Sequence, residues 1–240
     1  MRLSDFDALT FDCYGTLIDW ESGLAAAIGP WLRRHGVKAP FDRVLELFAL
    51  CQSAQEDETP AMLYSEVLAH TLRRMAKAWD VEATDDEAVA FGASVGDWPA
   101  FADSPGALAY LKRHCKLVVL SNVDHASFAG SNRRLGVEFD AVYTAEDIGS
   151  YKPDLRNFCY LLDRLENMGV ARDRILHVAQ SRYHDHAPAQ KIGLRSAWIN
   201  RRHGKTGGGA TKPVTLARDP DFYFPSLAAL AEAHAKEIAA

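Results

Sequence analysis

The feature that most constrains this 240-residue chain is a strand signal that stands alone at its start. Phe6-Asp7-Ala8-Leu9-Thr10-Phe11-Asp12 is a short, largely apolar run that breaks into the polar cluster Asp12-Cys13-Tyr14-Gly15-Thr16, the pattern of a buried strand entering a tight loop. From Ile18 to about Trp98 apolar residues recur at helical spacing instead: Leu24/Ile28/Trp31/Leu32, then Val44/Leu45/Phe48, then Met62/Leu63/Val67/Leu68/Leu72/Met75 after Thr59-Pro60, which reads as a helix start. After Pro99 the pattern alternates. A helix begins near Ser104-Pro105, and further helices are predicted over 128–135, 154–168 and 188–192, separated by strands over 117–120, 141–143, 175–179 and 196–199. Such alternation builds a parallel sheet covered on both faces, and the lone leading strand belongs to it. The expectation is an α/β fold: a doubly wound parallel sheet from residues 1–17 and 99–240, with 18–98 inserted as a helical cap domain.

That geometry points to where chemistry belongs, because open parallel sheets bind ligands beyond the carboxyl ends of their strands, where strand order reverses. Four polar sets stand at predicted strand ends: Asp12 to Thr16, Ser121-Asn122, Tyr151-Lys152-Pro153, and Gln180 to His186. A carboxylate at Asp12 can serve as nucleophile, base or metal ligand. Gly15 lets the chain turn sharply, and Thr16 can hydrogen-bond the carboxylate or a backbone group. Taken singly, Asp12 reads equally as a helix-capping aspartate and Lys152-Pro153 as a plain turn. Their joint arrangement favours a site, with the insertion as its lid.

Composition closes off other classes. Lys plus Arg number 27 against 32 Asp plus Glu, and a net charge of -5 opposes a polyphosphate partner, so no nucleic acid is expected. No apolar run reaches the ~18 residues of a membrane span. The four cysteines form no CxxC pair and Met1 to Asp5 lacks a signal-peptide core, which reads as a reducing cytoplasm. Cys13 points to the opposite strand face from Asp12 if the strand continues, away from any nucleophilic role. Gly204-Lys205-Thr206 is not a phosphate-binding loop, since Ile199 stands where its first glycine belongs; with Gly207-Gly208-Gly209 it reads as a mobile surface loop. His184 and His186 flank Asp185, yet alternate residues of a helix face different ways, so no metal site is assigned.

Asp12-Cys13-Tyr14-Gly15-Thr16, Ser121-Asn122, Lys152-Pro153 and Asp185 together resemble the four ordered motifs of the haloacid dehalogenase superfamily. The resemblance covers the whole chain and implies a doubly wound core, a cap inserted after the first motif, and a covalent intermediate on Asp12. Phosphatases of that superfamily usually carry a second Asp two residues after the nucleophile, to protonate the leaving alcohol; here that residue is Tyr14. The motif therefore resembles the type II 2-haloacid dehalogenases, whose halide leaves without a proton. The resemblance implies that Lys152 steadies the nucleophile and developing charge, that Ser121 and Asn122 bind substrate, and that Asp185 positions or deprotonates water. Tyr14 and Trp20 would wall the pocket. No cofactor is implied, the partner is a small carboxylate substrate, and a homodimer is compatible with the sequence.

The pattern departs from those dehalogenases in two places. They place an Arg on the cap to hold the departing halide, where this chain reads Leu47-Phe48-Ala49-Leu50-Cys51-Gln52; Arg43 lies about two helical turns away. The fourth motif reads Gln180-Ser181-Arg182-Tyr183-His184-Asp185-His186, and Arg182 is the candidate to supply the missing positive charge. Over the full length the sequence also resembles the azetidine-2-carboxylate hydrolases of the same branch, which open a strained ring, through residues 10–21, Glu58-Thr59-Pro60, residues 183–186 and residues 201–205. A magnesium-dependent phosphatase using Asp12 and Asp185, and a noncatalytic small-ligand binding protein, are the remaining alternatives.

Overall fold

The computed structural model describes residues 1–204 and 214–240. The Gly-rich tract read as a mobile loop lies largely outside the described residues. Strand β1 (Ala8–Phe11) is buried along its whole length. Four helices follow, α1 (Trp20–Arg34), α2 (Phe41–Glu58), α3 (Tyr64–Ala78) and α4 (Asp85–Ala93). The chain then runs through α5 (Ser104–Leu111), β2 (Lys116–Ser121), α6 (His125–Leu135), β3 (Ala141–Thr144), α7 (Ala145–Ile148) and α8 (Leu155–Asn167). It ends in β4 (Ile175–Ala179), α9 (Ala187–Lys191), β5 (Arg195–Ile199), β6 (Phe222–Phe224) and α10 (Leu227–Ala239).

The sheet is parallel throughout, with order β3-β2-β1-β4-β5-β6. β1 lies at its centre, with β2 on one side and β4 on the other, so the reversal of strand order falls beside Asp12. Strand alternation sorts two apolar layers. Leu9, Phe11, Leu117, Val119, Leu176 and Val178 face one way, where they join Leu108, Leu111, Phe128 and Leu230 of α5, α6 and α10. Ala8, Val118, Leu120 and Ile175 face α8 and α9, joining Phe158, Leu161, Leu165 and Ala189. Thr10 and His177 stand in this second row, fully buried and directly paired in register.

The helices of the insertion carry clear start signals. Asp19 caps α1 through the Ser22 amide, and Thr84 with Glu87 forms a capping box on α4. The expected helix start at Thr59-Pro60 is corrected: α2 runs to Glu58, Thr59 caps its carboxyl end, and α3 starts only at Tyr64. Pro60 sits in the turn between them because Thr59 bonds back to the Gln55 carbonyl, closing α2 rather than opening α3. β6 and α10 were not anticipated. β6 is three residues long, too short for its periodicity to register. Among the described residues no helix is long and apolar enough to cross a membrane.

Among the contacts between cap and core, two are especially close. The Asp124 carboxylate caps α6 through the Ser127 amide (2.8 Å) and also accepts from the Ser65 amide at the start of α3 (2.9 Å), so one side chain serves a helix of each part. Gly130 of α6 lies against Gly96, where an added Cβ would stand 2.5 Å from the Gly96 Cα, and Arg134 donates to the Gly96 carbonyl at 2.7 Å. Gly130→Ala is expected to lower stability by about 1–3 kcal/mol through overpacking against backbone that cannot yield. Gly106→Ala at an exposed position of α5, where an added Cβ meets nothing within 4 Å, should be neutral or stabilising. Paired urea melts would check this, and an equal response at both positions would contradict the close-contact reading.

Candidate active site

The site is organised around one buried ammonium. Lys152 follows the α7 region and is 1% exposed, and its Nζ donates to Asp12 Oδ1 (2.9 Å), Asp185 Oδ1 (2.7 Å) and the Leu120 carbonyl (2.9 Å). These account for all three ammonium hydrogens. Burial alone would lower the lysine's proton affinity, but the two carboxylates outweigh it and hold the group charged well above its ordinary range. The carboxylates respond unequally. Burial pushes Asp12 up, opposed by Lys152 and reinforced by the charge of Asp185. Burial acts upward on Asp185 too, but there the ammonium and a hydrogen bond from His177 win and hold it well below the usual carboxylate range. Asp12 is thus the more basic of the two oxygen bases, the property a carboxylate nucleophile needs.

Local structure fixes each partner. Gly15 adopts φ 95°, a left-handed conformation that suits glycine, and an added Cβ would stand 3.1 Å from the Trp20 indole nitrogen. The turn brings Thr16 back onto Asp12: its hydroxyl donates to Oδ2 at 2.6 Å while accepting from the Gln180 amide at 2.9 Å. Arg201, beyond β5, braces the same turn by donating to the Thr16 carbonyl while pairing with Asp103. Asn122 has a second role besides bordering the pocket. Its amide donates to the Lys152 carbonyl (3.0 Å) and accepts from the Lys152 N–H (2.7 Å), so it clamps the lysine backbone even though it borders the pocket. Ser121 lines the pocket, and its buried hydroxyl has no partner among the described residues, leaving it available to a ligand.

The pocket is a cavity of about 100 Å³, with Asp12, Lys152, Ser121 and Asp185 at its floor. One face of α2 supplies Phe48, Ala49, Gln52, Ser53 and Glu56. Trp20 stacks on Phe48, and Tyr14 packs edge-on against Trp98. Tyr14 and Trp20 therefore wall the pocket. The Tyr14 hydroxyl is bonded to Ser131 Oγ at 2.9 Å, and burial pushes the phenol well above its ordinary range, so it stays neutral.

Arg182 is the clearest correction. It is not among the described residues lining the cavity; its guanidinium lies over the Trp198 ring, 5.2 Å from the centroid, and 4.0 Å from the exposed Asp219. The reason is local: residues 182–186 form one wide π-helical turn, which turns Asp185 inward and Arg182 outward. The same turn separates the two histidines. His184 borders the pocket, whereas His186 is buried behind it between Ser196 Oγ and the Ala179 carbonyl, lowered by burial to about 4 and so neutral at pH 7. No group of three or more metal-ligating side chains with ion-binding geometry occurs among the described residues. Sequence reasoning missed His177, which reaches Asp185 Oδ1 at 3.0 Å from Nε2 and Thr10 Oγ1 at 2.8 Å from Nδ1. A histidine in the middle of an otherwise apolar strand was the available signal.

Comparison with known proteins agrees with this geometry. The chain is 30% identical over 122 residues to (S)-2-haloacid dehalogenases of Pseudomonas putida and Pseudomonas fluorescens, a match spanning 50% of this chain and only about half (52%) of each relative. The fold resembles a defluorinating L-2-haloacid dehalogenase (TM-score 0.78, 18% identity, 95% of this chain and 94% of that one). It also resembles the L-2-haloacid dehalogenase of Xanthobacter autotrophicus with chloropropionic acid covalently bound (TM-score 0.77, 19% identity, 95% and 97%). The family model for haloacid dehalogenase-like hydrolases matches residues 6–179, from the strand that carries Asp12 to the one that precedes Asp185. With a match over well beyond half its length and a parallel sheet that delivers Asp12, Lys152 and Asp185 to one cavity, the chain belongs to the haloacid dehalogenase-like hydrolases.

Proposed function

We propose that the protein hydrolyses a small 2-substituted carboxylate through an ester on Asp12. Residues 18–98 act as the cap over a core of 1–17 and 99–240, in a cytoplasmic setting. The observation that carries this reading is the Asp12–Lys152–Asp185 cluster beneath a Tyr14 that walls the cavity where a phosphatase would hold its acid. An Asp12 oxygen attacks C2 as the leaving group departs with the bonding pair. Water then attacks the Asp12 carbonyl carbon, one proton passing to Asp185; the ester oxygen leaves as a 2-hydroxy carboxylate that takes up that proton, and Asp12, regenerated as the acid, releases the second proton to solvent. Lys152 and Thr16 hold the nucleophile in place, and Ser121 offers its hydroxyl to the substrate carboxylate. The covalently bound chloropropionic acid in the Xanthobacter autotrophicus relative supports the ester step. A cavity of about 100 Å³ suits a substrate of a few carbons.

The cap wall bears on the leaving group. Halide is the ordinary choice in this branch, but no arginine lies among the described residues that line the cavity, and α2 presents Gln52, Ser53 and Glu56. That wall favours azetidine-2-carboxylate as a second reading. A ring nitrogen that enters protonated leaves as a neutral amine, needing neither an acid at Tyr14 nor a halide cradle, and strain relief supplies the driving force.

A panel of 2-chloropropionate enantiomers, fluoroacetate, azetidine-2-carboxylate and p-nitrophenyl phosphate, each with and without chelator, is expected to give turnover on a carbon-centred substrate that chelator does not touch. In a single turnover in heavy-oxygen water the label should enter Asp12 rather than the product. Chelator-sensitive phosphate release, or label passing directly into product, would displace the proposal.

Lys152→Met should slow ester formation by about a hundredfold or more, removing on the order of 3 kcal/mol of transition-state stabilisation. It should also cost stability, about 3–5 kcal/mol at neutral pH, because two buried carboxylates lose their shared counter-charge. Without the ammonium their folded pKa values rise above the unfolded value of ~3.9, so the penalty grows as pH rises through that value and shrinks as it falls. Urea melts of variant and parent at pH 4.5 and 7.5 should show the larger gap at 7.5. An equal gap at both would make the contribution of Lys152 one of packing.

A further inference from the structure

His177 is fully buried in the centre of β4, in a row of side chains that is largely apolar, with Thr10 beside it on β1 and Ser196 beside it on β5. Its ring packs edge-on against Phe158 of α8, with centroids 5.3 Å apart. The two nitrogens have different partners, and the partners dictate the tautomer. Asp185 is ionised and only accepts, so Nε2, 3.0 Å from Oδ1, carries the hydrogen. In the neutral ring Nδ1 is then an acceptor, and the Thr10 hydroxyl, 2.8 Å away, donates to it. The register of β1 and β4 sets Thr10 directly beside His177, so the sheet itself builds this pair.

The consequence falls on Asp185. Its Oδ1 accepts from both Lys152 Nζ (2.7 Å) and His177 Nε2 (3.0 Å), whereas Oδ2 is buried and has no partner among the described residues, in a side chain that lines the cavity. A carboxylate held by two donors on one oxygen cannot rotate, and its second oxygen keeps a fixed aim. An unsatisfied buried carboxylate oxygen costs about 1–3 kcal/mol or more, a cost retained where a ligand or water is to be bound.

We propose that His177 is a positioning residue for the second half of the reaction: it locks Asp185 through Oδ1 so that Oδ2 orients the water that hydrolyses the Asp12 ester. This rests on the ester reading above. His177 touches neither substrate nor the bond being broken. Its loss therefore slows ester hydrolysis while leaving ester formation, which depends on Asp12, Lys152 and Thr16, largely intact.

The test follows the mass of the enzyme after rapid mixing with whichever carbon-centred substrate the panel identifies. His177→Phe keeps the ring packed against Phe158 but has no donor; His177→Gln keeps an amide hydrogen near the Nε2 position. In His177→Phe the adduct should form at a rate within about threefold of the parent and clear about ten- to a hundredfold more slowly, so that esterified enzyme accumulates. His177→Gln should recover most of the clearance rate. Thr10→Val, which removes the hydroxyl that fixes the tautomer while nearly conserving volume, should slow clearance in the same direction and serves if His177→Phe does not fold. Long-range proton–nitrogen NMR of the parent should show the Nε2-protonated tautomer of His177 at neutral pH. Equal slowing of both steps, clearance unchanged in His177→Phe or, where that variant does not fold, in Thr10→Val, or an Nδ1-protonated ring overturns the proposal. An absence of any adduct in the parent overturns the ester reading and the proposal with it, whereas an adduct that clears at the parental rate in the variants overturns the proposal alone.

Discussion

One ammonium between two carboxylates governs this structure. Lys152 Nζ has three hydrogens and three acceptors, two of them charged, and it lies almost wholly out of water. Moving such a group into the interior costs several kcal/mol per ion, and only close geometry on every side recovers it. The surroundings supply that geometry. Asn122 grips the Lys152 backbone at both its N–H and its carbonyl, Thr16 ties the far oxygen of Asp12 to β4 through the Gln180 amide, and His177 ties Asp185 to β1 through Thr10. The ends of β1, β2 and β4 are thereby joined by hydrogen bonds around a single charge. Sharing that charge also sorts the two carboxylates, since Asp185, held by both Lys152 and His177, ionises more readily and its charge leaves Asp12 the stronger base.

Specificity has a different physical origin. The floor of the pocket comes from strand ends, which the sheet holds rigidly, but its roof is one face of α2 together with Trp20, Tyr64 and Trp98. The floor carries the charged cluster of Asp12, Lys152 and Asp185, whereas the roof presents side chains at helical spacing. The roof is kept in register by few contacts, among them the doubly used Asp124 carboxylate, the Gly96–Gly130 approach and the Arg202–Glu21 ion pair. The α2 side chains of the roof thus stand apart from the charged cluster beneath.

By itself the sequence determined the architecture. Alternating strands and helices after Pro99, with a single strand ahead of a long helical stretch, leave only a parallel sheet with an insertion, because a lone buried strand must find partners and parallel partners need helical crossovers. The same logic brought Asp12, Ser121, Lys152 and Asp185 to one edge, since residues just past strand ends converge wherever those strands are neighbours. Side-chain direction was decided only by the tertiary structure. A π-helical turn sends Asp185 inward and Arg182 onto Trp198, and no periodicity in residues 180–186 announces a turn of that width. The partners of Asn122 and the link from Thr10 through His177 to Asp185 depend on the register between strands distant in sequence. Local pattern names the elements and their ends, but which polar atom meets which is fixed by long-range packing, where a shift of one residue would turn every side chain to the other face.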